Sequence, residues 1–212
     1  MFVTDCTEAK LADIVFIVDE SGSISPEDFS LIRSFLHKLV KGLDVGLNQV
    51  RVGIVLYSDK ATAHVYLNSF DNKDEILEFI KILPHRGGGT LTGAALKFAK
   101  ENVFVQDKGS RLGLGIQQVA VVITDGESQD EVSPAATALR RAGVTVYAVG
   151  VKNANIEELK AIASHPPKSH MFNVDSFAKL GSLERTLRKS LCYNILHSAA
   201  SDTHRKYSIK TG

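Results

Sequence analysis

Residues 13–19 read DIVFIVD, five successive apolar side chains between two aspartates. An unbroken Val- and Ile-rich run suits a strand covered on both faces, as in a parallel sheet flanked by helices. A strand with one solvated face would alternate instead. The run stops at Asp19 and is followed by ESGSIS and then Pro26. Ser25 is suited to cap a helix, Pro26 to its first turn, and Asp28 to a capping-box-like pairing with Ser25. Asp19, Ser21 and Ser23 therefore share one turn at the carboxyl end of a central strand. Open α/β sheets place their ligands at that edge.

The rest of the chain repeats the pattern. Residues 50–57 (VRVGIVLY), 119–124 and 144–151 (VTVYAVGV) are further buried-strand runs. Residues 61–67 follow the first of these after a tight turn, which permits only an antiparallel partner at a sheet edge. Phe29, Ile32, Phe35, Leu36, Leu39 and Val40 recur at helical spacing after Pro26. Helices are expected at 74–83, 92–105, 134–142 (with Gly143 as its C-terminal cap), 156–163 and 177–191, and a short strand at 171–174. Residues 106–117 carry three glycines without periodicity and read as loop. The fold class is α/β: a doubly wound, mostly parallel sheet with one antiparallel edge strand and helices on both faces. Residues 1–12 form a lead containing Cys6, residues 13–194 one domain, and residues 195–212 a polar tail expected to be disordered.

Composition narrows the function. With 25 Lys and Arg against 24 Asp and Glu, interspersed, the net charge of +1 favours neither nucleic acid nor an anionic membrane. No apolar stretch approaches transmembrane length. Cys6 and Cys192 bracket the domain, and a disulfide between them would contribute on the order of 5 kcal/mol and imply an oxidising, extracellular setting. The alternative is two unrelated buried thiols.

The turn after residue 19 offers one carboxylate and two hydroxyls. An all-oxygen set suits Mg²⁺ and argues against zinc. Two further segments supply partners: the loop RGGGT, which presents Thr90, and the strand at 119–124, which delivers Asp125 to the same edge. Taken singly, Asp19, Ser21 and Ser23 each read equally well as ordinary turn residues; together with Thr90 and Asp125 they do not. The glycines lack the Lys-Ser/Thr of a phosphate loop. His64, His85, His165 and His170 have no zinc-like spacing and read as surface or half-buried residues. Glu20 and Glu127, beside the metal positions, read as solvated rim charges that tune partner choice.

Asp19-x-Ser21-x-Ser23, Thr90 and Thr124-Asp125-Gly126 together resemble the metal-ion-dependent adhesion site of von Willebrand factor type A domains, over residues 13–192. The resemblance implies that Asp19, Ser21, Ser23, Thr90 and Asp125 hold Mg²⁺, with Mn²⁺ or Ca²⁺ as alternatives, one aspartate acting through water. The flanking segments ADIVFIVD, GAAL, ITDGESQD and AVGV are similar to A domains of matrix proteins, collagen VI chains above all, with fibril-associated collagens and matrilins alike. Leu91 and Glu20 depart from the common pattern, giving a less polar rim and added negative charge beside the ion. No signal peptide is visible at Met1, and the chain is expected to be one domain of a larger secreted matrix protein. The implied function is non-enzymatic adhesion and assembly. Matrix proteins or cell-surface receptors would bind through an acidic residue on the metal, alongside sister A domains of the same chain. The alternatives are a metal-independent assembly domain and, more distantly, a metal-dependent hydrolase, for which no nucleophile–base pair is evident.

Overall fold

The computed structural model describes residues 11–208, with side chains as far as residue 197. The apolar runs become strands β1 (Ala12–Asp19), β2 (Val50–Tyr57), β4 (Gln117–Thr124) and β5 (Val144–Val151), with shorter β3 (Ala61–Val65) and β6 (Met171–Val174). They form one six-stranded sheet in the order β3-β2-β1-β4-β5-β6. All neighbours are parallel except β2 and β3, which are antiparallel at the edge. β1 lies between β2 and β4, with Asp19 opposite Tyr57 and Val18 opposite Ile123.

Both faces are covered, which is why β1 reads as continuous apolar sequence. Ile14, Phe16 and Val18 point into one core with helices α1 (Pro26–Lys41), α2 (Lys73–Lys81) and α7 (Leu180–Ser208). Val15 and Ile17 point into the other, against α3 (Thr92–Asn102), α4 (Ser133–Arg141) and α5 (Ile156–Ile162). A single helical turn, α6 (Pro167–His170), precedes β6. The buried face of α1 is the expected set Phe29, Ile32, Phe35, Leu36, Leu39 and Val40. Ser25 Oγ caps it by accepting from Asp28 N at 3.1 Å, with Pro26 in the first turn. The Asp28 carboxylate does not turn back to complete a box; it pairs with Lys152 at 3.2 Å. Gly143, at φ +95, ends α4 in the left-handed conformation that favours glycine.

Two expectations need correction. The closing helix does not end at 191. After a 3-10 turn at Phe177–Lys179, α7 runs from Leu180 to Ser208. Leu187, Leu191 and Ile195, four residues apart, keep one stripe buried, and Leu196 packs beside it. The segment expected as a tail from residue 195 therefore starts inside a helix that is still docked on the core. Cys192 is half-buried against the same core and is not a free thiol. Its expected partner Cys6 lies outside the described residues.

The second correction concerns residues 106–117, read as open loop. They form two 3-10 turns, Gln106–Lys108 and Leu112–Leu114, and between them Arg111 turns inward to 7% exposure. Its target is Asp13, fully buried at the amino end of β1. The Asp13 carboxylate accepts from Arg111 N (2.7 Å), Nε (2.9 Å) and Nη2 (2.7 Å), and from Gln118 Nε2 (2.7 Å). The guanidinium also donates to the carbonyls of Ala12 (2.9 Å) and Gln49 (2.6 Å). This network closes the edge of the sheet opposite the Asp19 turn.

Candidate metal centre

Strand β1 ends in Asp19, whose carboxylate is fully buried. A buried carboxylate needs donors. Oδ1 accepts from Ser21 N at 2.8 Å, which closes the turn, and Oδ2 accepts from Thr124 Oγ1 at 2.8 Å on neighbouring β4. Ser21 Oγ lies 3.0 Å from Ser23 Oγ, and Ser23 Oγ donates to both oxygens of Asp125, at 3.1 and 3.0 Å. The chain's four residues Asp19, Ser21, Ser23 and Asp125 thus form one contiguous set of oxygens. β1 and β4 are adjacent and end together, so residues 106 apart in sequence meet.

Thr90 arrives on the glycine-rich loop, whose backbone is held from three sides. Gly87 N donates to Glu20 O (3.0 Å), and Gly22 N donates to Gly88 O (2.9 Å), stitching it to the Asp19 turn. Gly89 N donates to Asp59 Oδ1 (2.9 Å) and Leu91 N to Ser58 O (3.0 Å). Thr90 N donates to Gln129 Oε1 (3.1 Å), and Gln129 N returns a bond to Thr90 O (2.8 Å). The first turn of α3 is then anchored by Asp130, which accepts from Gly93 N (2.7 Å) and Ala94 N (2.8 Å). Gly88 sits at φ +109, and a Cβ there would come within 2.9 Å of Asp59 Oδ2. Thr90 is half-buried between the Asp19 turn and the segment after Asp125.

The electrostatics of this set favour a cation. Burial, reinforced by the neighbouring Asp19 carboxylate, pushes Asp125 up to about 6. A divalent ion at this pair would relieve both the desolvation of Asp125 and its repulsion by Asp19. The oxygens brought together are all hard: two carboxylates and the hydroxyls of Ser21 and Ser23, with Thr90 on the adjoining loop. Among the described residues no three His, Cys, Asp or Glu side chains converge, so hydroxyls have to complete any such shell. The residues present fit a hard divalent cation.

Glu20 is not the solvated rim charge expected. It is 1% exposed, and its Oε1 accepts from Arg86 N at 2.9 Å. Burial raises its carboxyl above the usual range, against the opposing effects of that bond and of Arg86 and His85. Glu127 does lie exposed at the rim, accepting from Asn155 Nδ2 at 3.0 Å. His85 stacks on Phe29 with ring centroids 4.6 Å apart, and its Nε2 lies 3.4 Å from Ser21 O. Sequence reasoning missed the loop's supports, Glu20, Asp59, Gln129 and Asp130. Polar residues at strand ends look alike in sequence, and only the order of the strands shows which of them face one loop.

A family model described as von Willebrand factor type A domain matches residues 13–186. The collagen alpha-4(VI) chain of Mus musculus is 42% identical over 190 residues, covering 90% of this chain and 8% of that one. Matrilin-1 of Mus musculus is 38% identical over 180 residues, covering 85% of this chain and 36% of the matrilin. Among solved structures, proximal thread matrix protein 1 from the mussel byssus, with a zinc-occupied MIDAS motif, superimposes with a TM-score of 0.81. It is 29% identical and covers 86% of this chain and 48% of that one. The chain thus spans less than a tenth of the collagen relative and about a third of the matrilin.

Proposed function

Because the chain belongs to the von Willebrand factor type A domain family, we propose that it is a secreted, non-enzymatic adhesion and assembly module that binds protein partners through a divalent cation. The observation that carries this reading is the pair of buried carboxylates, Asp19 and Asp125, joined through Ser21, whose backbone N donates to Asp19, and Ser23, whose hydroxyl donates to Asp125. Asp19, Ser21, Ser23, Thr90 and Asp125 would hold the ion. When bound, the ion supplies an open coordination position for a partner's carboxylate. The chain's own contribution is positional. Thr124 fixes the Asp19 carboxylate, Ser23 fixes Asp125, and Gln129 fixes the backbone of Thr90.

Mg²⁺ is the preferred ion on donor chemistry, since hydroxyls and carboxylates are hard ligands. Zn²⁺ belongs in the comparison because a relative carries zinc at its corresponding motif. Matrix proteins, cell-surface receptors or sister A domains are the expected partners, in keeping with the collagens and matrilins that the chain resembles. The test is calorimetric titration of EDTA-stripped protein with Mg²⁺, Mn²⁺ and Zn²⁺, alongside Asp19→Ala. One-to-one saturable binding that the variant loses, with its circular dichroism spectrum unchanged, is the expected result. Absence of binding to the wild-type protein refutes the metal bridge and leaves a metal-independent assembly domain.

A further inference from the structure

Glu20 poses a question that its neighbours do not. Burying a carboxylate is costly unless it is well used, and Glu20 is 1% exposed between Asp19 and Ser21. It is not one of the residues proposed to hold the ion. Its side-chain oxygen accepts from Arg86 N at 2.9 Å, and its own carbonyl accepts from Gly87 N at 3.0 Å. One residue therefore grips two successive amides of the loop that carries Thr90. The residues that follow, Gly87 and Gly88, lie at φ +80 and +109. Such a stretch has no side chains to pack, and its conformation depends on backbone partners.

We propose that Glu20 is a positioning residue of the metal centre: its buried carboxylate clasps the backbone at Arg86, beside the bond from Gly87 N to its own carbonyl, fixing where the loop delivers Thr90. The role rests on the proposed reading of the site as a cation centre. It makes the residue between two ion-holding positions a support for a third, 70 residues away in sequence. Outer partners of this kind typically change metal affinity by about 10- to 100-fold when removed.

Reach and charge are separable. Glu20→Gln keeps an acceptor oxygen at the same reach without the charge, whereas Glu20→Asp keeps the charge but withdraws it by one methylene. The experiment measures Mn²⁺ affinity by calorimetry for the wild type, Glu20→Ala, Glu20→Asp, Glu20→Gln, Thr90→Ala and Glu20→Asp/Thr90→Ala. Amide exchange at Arg86 and Gly87 is followed in the metal-free proteins. The expected result is an affinity loss of about 10- to 100-fold in the Ala and Asp variants, with Gln close to wild type. Arg86 exchange accelerates only where affinity falls. The Asp substitution costs nothing further in the Thr90→Ala background, because both act through one contact. Should Glu20→Ala fail to fold, the milder Asp variant carries the comparison.

Equal loss in Gln and Asp would make the effect one of structure or charge and overturn the proposal, as would losses that add with Thr90→Ala. So would wild-type affinity throughout. A wild-type protein that binds no Mn²⁺ overturns the metal reading and this role with it, even if Arg86 exchange still accelerates in Glu20→Asp.

Discussion

Arg111→Met tests the buried network at the amino edge of the sheet. The substitution keeps a flexible apolar stem but removes the guanidinium, and with it two of the four donors to Asp13 and the donors to the Ala12 and Gln49 carbonyls. Arg111 N and Gln118 Nε2 remain, so Asp13 is under-supplied rather than naked. Breaking one partner of a buried ion pair costs about 3–5 kcal/mol. At about 2–4 °C per kcal/mol for a domain of this size, the melting temperature should fall by roughly 6–20 °C. Asp13→Asn in the Arg111→Met background removes the stranded charge, and the double variant should be more stable than the single one. Urea unfolding followed by circular dichroism measures both. Metal affinity should not change, because Asp13 and Asp19 stand six residues apart on β1, about 20 Å at strand spacing. A loss under about 1 kcal/mol in Arg111→Met, or a double variant weaker than the single, would refute the argument that the pair is a buried, mutually dependent unit.

Other perturbations have equally definite outcomes. Ser25→Ala removes the cap on Asp28 N and should cost about 1 kcal/mol in urea unfolding; no change would mean that Pro26 alone sets the start of α1. His64 Nε2 is buried without a hydrogen-bond partner among the described residues, and burial followed by the nearby Arg86 charge holds the imidazole below its usual value of 6.5. A depressed folded-state value means that its stabilisation is present above pH 6.5 and drains away as pH falls through the folded value. His64→Leu should therefore flatten the acid side of the stability profile, and an unchanged profile would exclude His64 as a source. If Cys6 and Cys192 are joined as the sequence suggests, reduction should cost about 2–5 kcal/mol, read as a lower urea midpoint that Cys192→Ala reproduces.

Much of the fold was legible because its signals are local. The continuous apolar run of β1 announced a strand covered on both faces, and Asp19, Ser21 and Ser23 announced the site by sharing one turn. What escaped depended on distant partners. Arg111 lies in a glycine-rich stretch, where a charge is ordinarily solvated, and only the packing of that stretch against β1 turns it onto Asp13. Glu20 was misread for a similar reason: its place beside Asp19 says nothing of a loop 66 residues away. The extension of α7 was different. Leu187, Leu191 and Ile195 carry the period in plain view beyond the expected end at residue 191.

The placement of the two ends of the domain has a mechanical consequence. Ala12, the first residue of β1, lies opposite Gln117, and Gln117 Nε2 donates to Asn194 Oδ1 at 3.0 Å near the last packed turn of α7. The start of β1 and the packed part of α7 thus meet at one edge, while the Asp19 turn occupies the other. Tension along a string of such domains would run across that shared edge and need not pass through the sheet. Were this domain strung in that way, the Asp19 turn would face away from the line of pull. A partner held there could stay bound while the string is stretched.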